Sequence, residues 1–109
     1  MADQPAAAAR KFSDPIDLAE PIRRGEEAIS SITLRKPRAG ELRGLSIQDL
    51  MNARTSAVLD VLPRIAAPPI TAAEADQLEA EDIAACAGAI IGFFLNPSQR
   101  QQVEAALKN

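Results

Sequence analysis

Of the 29 apolar side chains larger than alanine, 25 lie between Ile16 and Leu95. Only this stretch of about 80 residues can bury enough surface to form a core, so the folded unit is expected there, with a tail on each side. Residues 1–15 are rich in Ala, Asp and Pro and show no apolar period, so they are read as a flexible tail. Residues 96–109 are read as a second tail or a marginal helix. Ser98 and Gln101 are spaced as a capping pair there, and Val103 and Leu107 stand four apart, but too little apolar surface accompanies them for a helix stable by itself.

Within the central stretch the apolar period changes along the chain. Ile16, Leu18, Glu20 and Ile22 alternate with Asp17, Ala19, Pro21 and Arg23, which predicts a strand, and Pro21 assigns it to a sheet edge. Gly25 supplies the positive φ that a hairpin turn needs, and a second alternating, β-branched run follows over Ala28–Arg35 with Ile32 and Leu34 inward. Pro37 ends that run. A single helical turn is expected over Ala39–Arg43, stopped by Gly44.

From Ser46, a predicted N-cap, the period becomes helical. Leu45, Leu50, Val58, Leu59, Val61, Leu62 and Ile65 form an apolar surface over one or two helices, with a break near Asn52 and a kink or end at Pro63. Pro68 and Pro69 make a rigid connector. Thr71-Ala72-Ala73-Glu74 is a capping-box sequence opening a short helix to about Leu78. The last helix starts in the acidic Glu79–Asp82 segment, and Ile83, Ala87, Ile90, Ile91 and Phe94 are expected on its core side before Asn96 and Pro97 end it. The fold class is therefore α+β, an N-terminal β-hairpin followed by a small, mostly helical bundle.

Composition narrows the chemistry. There is no His, Tyr or Trp and a single Cys, so a Ser/His/Asp or Cys/His nucleophile system is ruled out and the commonest zinc ligand is missing. No catalytic, cofactor-binding or metal-binding residues are assigned, and an intrachain disulfide is impossible. No apolar run is long enough to span a bilayer and no leader pattern opens the chain, so a soluble intracellular protein is expected, without a membrane partner.

The formal charge is −3, unevenly placed: residues 1–54 sum to +1 and residues 55–109 to −4. Arg35, Lys36, Arg38 and Arg43 form a basic stretch, read first as a solvated face and second as a patch for an acidic partner. A nucleic-acid binder is expected to show a larger basic field and more aromatics. Glu79, Glu81 and Asp82 are read as capping charges, since the spacing of a calcium loop is missing. Cys86 is read as a small buried hydrophobe, and Gly88 with Gly92 as a small-xxx-small pair packed within the chain or forming a dimer seam.

The series Pro21-Ile22-Arg23 with Gly25, Ile32-Thr33-Leu34-Arg35-Lys36-Pro37, Ala39-Gly40-Glu41-Leu42-Arg43-Gly44, then Leu78 to Phe94 with Asp82 and Phe93-Phe94, resembles the tail assembly chaperones of contractile-tailed, Mu-like bacteriophages and prophages. The resemblance covers about Ile16–Leu95 and rests on order and spacing, since each motif alone is common. It implies a non-enzymatic protein of the host cytoplasm that coats the long, helical tape measure protein during tail assembly. It further implies release before the mature virion forms, self-association into oligomers, and in many members a longer form made by ribosomal frameshifting. The residues themselves suggest two contact regions for such a partner: Leu42, Leu45, Ile47, Leu50 and Met51 at the junction of hairpin and helices, and Phe93, Phe94 and Leu95 at the end of the last helix. For each of these, ordinary core packing is the competing expectation. The rival functions are a structural tail component retained in the particle and a small nucleic-acid-binding adaptor using the basic stretch.

Overall fold

Gly25 takes φ +61° in a two-residue turn between β1 (Ile16–Arg24) and β2 (Glu27–Leu34), with Arg24 opposite Glu27. This is the expected antiparallel hairpin, seen in a computed structural model that describes residues 11–96, 98, 99, 101, 102 and 105. After β2 come a 3₁₀ turn (Ala39–Leu42), α1 (Ile47–Met51), α2 (Thr55–Ile65), β3 (Ala66–Ala67), α3 (Ala72–Asp76) and α4 (Ala80–Phe94). The architecture is α+β.

The hairpin departs from simple alternation in β1. Ile16 faces Ile32 and Asp17 faces Ser31, but Ile22 faces Ile29, so the register shifts between Asp17 and Ile22. This bulge explains why Glu20, expected on the inward face with Leu18 and Ile22, is exposed while those two are buried. Pro21 is tolerated in the same irregular stretch because it interrupts no regular ladder.

Two features enlarge the sheet beyond the expected pair of strands. Ala66 and Ala67 pair with Leu34 and Thr33 as β3, so the Pro68 connector begins one residue after a strand, across a cis Ala67–Pro68 bond. Residues 11–13, expected in the N-terminal tail, also run beside the end of β2. Phe12 bridges to Arg35, the Ser13 amide donates to the Leu34 carbonyl at 2.7 Å, and the Leu34 amide donates to Ser13 Oγ at 2.9 Å. Residues 1–10 of that tail lie outside the described residues.

The helical signals behave as their capping chemistry dictates. Ser46 Oγ accepts from the Asp49 amide at 3.2 Å, and Ala53 at φ +58° marks the break between α1 and α2 near Asn52. Thr71 and Glu74 form the reciprocal capping box, at 3.0 and 2.9 Å. Pro63 lies in the last turn of α2, and the helix ends two residues later at Ile65. Beyond α4, Asn96 and Gln99 cap each other at 3.0 and 2.8 Å. The expected capping pair Ser98 and Gln101 is thus displaced by two residues, because Asn96 offers an acceptor with a Gln three residues on. The Val103 and Leu107 pair lies outside the described residues.

The core joins Ile32 and Leu34 of β2, Leu50 of α1, Val58, Val61, Leu62 and Ile65 of α2, and Cys86 and Ile90 of α4. α4 is rotated relative to expectation. Its buried positions are Asp82, Cys86, Ile90 and Phe93, while Ile83, Ala87 and Phe94 are only partly covered. The reason is polar: both carboxylate oxygens of Asp82, which is 3% exposed, accept from the Ala19 amide in the β1 bulge, at 2.9 and 3.2 Å. Asp82 is therefore an internal strut and not a solvated capping charge.

Candidate functional site

The residues expected to touch a partner fall into three environments. Leu50 is fully buried and Phe93 nearly so, and both belong to the core. Leu42, Leu45, Phe94 and Leu95 are half-covered. Ile47 and Met51 are 50% and 42% exposed, and with Phe12 they are the exposed large apolar side chains among the described residues. Ile47 and Met51 are four apart on α1, so they share one face of that helix.

The basic stretch is partly consumed by the fold. Arg35 donates to both carboxylate oxygens of Glu41 at 2.8 and 2.5 Å and to the Arg64 carbonyl at 3.0 Å. Arg64 in turn donates to the carbonyls of Glu41 and Arg43, at 2.6 and 3.0 Å, which ties the 3₁₀ turn to the end of α2. The Arg35 guanidinium and the Arg38 amide hold the Glu41 carboxyl down to about 2. Lys36, Arg38 and Arg43 remain exposed. A similar clamp joins the hairpin to α3: Arg24 donates to both oxygens of Glu74, at 2.8 and 2.7 Å, and to the Pro69 carbonyl at 2.6 Å. The Arg24 guanidinium and the Thr71 amide bring the Glu74 carboxyl to about 2.

Cys86 is buried, and desolvation followed by the charge of Asp82 pushes its thiol up to about 11, so at neutral pH it is a protonated core residue. Among the described residues no group of three or more Cys, Asp or Glu side chains is placed to hold a metal, and no helix is long and apolar enough to cross a membrane.

Among the described residues one wide opening is apolar. One wall is α4, through Ile83, Ala84, Ala87, Gly88 and Ile91, and the other is the start of α2 with Ala53 and Thr55, enclosing about 630 Å³. Gly88 is exposed, and a Cβ built on it meets nothing within 4 Å. It therefore does not serve close packing inside this chain, the more common use of such a spacing. Sequence reasoning missed this groove because Ile83, Ala87 and Ile91 had the spacing of a core face. Its legible signal was that α4 carries no charged residue after Asp82 and so has no face designed for water.

The fold and these features define a small α+β domain with two ion-pair clamps and a partly exposed apolar helix face. Comparison with known proteins gives this a family: the chain belongs to the phage tail assembly chaperones, described as "Phage tail assembly chaperone proteins, E, or 41 or 14", whose model matches residues 15–95. Among curated relatives, tail assembly protein E of Escherichia phage P2 is 44% identical over 86 residues, which is 79% of this chain and 93% of that protein. Tail assembly protein E' of the same phage is 44% identical over 80 residues, 73% of this chain but only 56% of the longer E' protein. No solved structure matches.

Proposed function

We propose that this chain is a non-enzymatic assembly chaperone that binds the tape measure protein in the host cytoplasm and is released before the virion is complete. The observation that carries the reading is the coincidence of the family match, residues 15–95, with the packed unit that begins at the hairpin and ends with α4. The whole folded part, and not a shared fragment of it, has the character of a tail assembly chaperone. The partly exposed apolar groove beside α4 supports it further, since a protein that holds many stretches of a long helix and later lets go needs shallow apolar contacts more than preorganised polar ones.

Co-expression with the tape measure protein of the same phage tests the reading. The two are expected to co-purify, and the tape measure protein is expected to be more soluble than when made alone. Mass spectrometry of purified particles is expected to find this chain absent; abundant chain in finished particles would favour a retained tail component. No association and no gain in solubility would sink the proposal.

A further inference from the structure

Helix α4 exposes what a surface helix ordinarily hides. From Ile83 to Phe94 it holds no charged residue, yet of that stretch only Cys86, Ile90 and Phe93 are buried, while Ile83, Ala87, Ala89 and Phe94 are partly covered against the core and Ala84, Ala85 and Gly88 are exposed. A helix apolar on all sides is normally enclosed on all sides. Ala84, Ala87 and Gly88 form a low floor in the groove, flanked by Ile83 and Ile91, over about 12 Å of helix axis. Small residues at such spacing let another helix approach closely, and the open space over Gly88 leaves that approach free.

Charge decides what fits. The end of the groove at Ala80 adjoins Glu79 and Glu81, both exposed and in no salt bridge among the described residues, and the last turn of α4 carries no basic residue. Arg54, at the opposite wall, already stands 3.8 Å from Asp49. A second copy of α4 laid parallel in the groove would superpose two acidic first turns. Laid antiparallel, it would bring each acidic turn to the negative carbonyl end of its partner. Both arrangements repel, whereas a helix with Lys or Arg at one end of its apolar seam complements the groove.

We propose that the groove between α4 and the start of α2 is the docking site for a helical segment of the cargo protein, an apolar seam ending in a basic residue that meets Glu79 and Glu81. The proposal rests on the reading of the tape measure protein as cargo.

The test uses the full chain and the full-length tape measure protein of the same phage, with affinity measured for wild type, Gly88→Leu and Glu81→Lys. Gly88→Leu fills the groove without touching the core, so its thermal melt should match or exceed that of wild type while binding weakens at least tenfold. Glu81→Lys should weaken binding at least threefold at low salt, with the difference shrinking as salt rises. Wild-type affinity in Gly88→Leu would overturn this proposal alone. Failure of the wild-type chain to bind would overturn both the cargo reading and the site. If sedimentation shows an oligomer that Gly88→Leu converts to monomer while cargo binding is kept, the groove is a seam between copies and the proposal is wrong.

Discussion

Asp82→Ala tests whether one buried carboxylate fixes the attachment of α4 to the hairpin. The side chain is 3% exposed, and both oxygens accept from the Ala19 amide, which lies where the β1–β2 ladder loses its register. Removing the carboxylate deletes a charge-assisted hydrogen bond and leaves a part-buried amide without an acceptor, a loss of about 1.5–3 kcal/mol. Relief of the desolvation cost of a buried charge works in the other direction, but it does not restore an acceptor for Ala19. For a folded unit of this size each kcal/mol lowers the melting temperature by about 4–8 °C, so a fall of about 6–24 °C is expected. Asp82→Asn keeps an acceptor oxygen without the charge and should fall between Ala and wild type. Urea unfolding followed by circular dichroism gives the ordering, and amide hydrogen exchange at Ala19 gives the local effect, with protection lost in Asp82→Ala. If both variants unfold within about 0.5 kcal/mol of wild type and Ala19 stays protected, the carboxylate is not the strut described above.

Alanine at three glycines should act with opposite signs: Gly25→Ala (φ +61°) and Gly44→Ala (φ +80°) should each cost about 1–2 kcal/mol, whereas Gly88→Ala, in an open helical site, should gain about 0.5–1 kcal/mol by chemical denaturation. Because Glu41 and Glu74 have folded-state values near 2, below the 4.5 of a free side chain, they favour the folded state above about pH 4.5 and lose that contribution as pH falls toward 2. Melts at pH 6 and pH 3 should show the loss, and Glu74→Gln should reduce it. A thiol reagent at pH 8 should label Cys86 only as fast as the protein unfolds, and Asp82→Asn should lower the thiol's titration point while burial keeps it above that of a free cysteine.

What could be read from the sequence was whatever local chemistry settles locally. Gly25, Ser46 and the Thr71/Glu74 box each act over three or four residues, and each appears where its residue type puts it. Features that depend on a distant partner were not legible. β3 is two alanines with no pattern of their own, and they form a strand only because Thr33 and Leu34 of β2 offer free ladder positions. The β1 bulge is invisible in the alternation of Ile16 to Ile22, since it answers to Asp82, more than 60 residues away. The candidate contact residues show the same divide: Ile47 and Leu50 look alike in sequence, but the packing of α1 leaves one half exposed and encloses the other completely.

The rotation of α4 joins these points. An apolar period finds the core side of a helix only when the other side is polar, and between Ile83 and Phe94 there is no polar side to give contrast. Two faces about 100° apart, one through Ile83, Ala87 and Ile91 and one through Asp82, Cys86, Ile90 and Phe93, are then nearly equal in apolar content. Asp82 breaks the tie, because its carboxylate cannot be buried without a donor and the Ala19 amide supplies one. Once Asp82 is turned inward, Ile83, Ala84, Ala87, Gly88 and Ile91 are left facing the groove. The residue that anchors the hairpin to the last helix is thus also the residue that turns this apolar face toward the groove. A variant that removes the acceptor of the Ala19 amide should therefore weaken cargo binding as well as stability, which an affinity measurement on Asp82→Ala at a temperature where it remains folded would reveal.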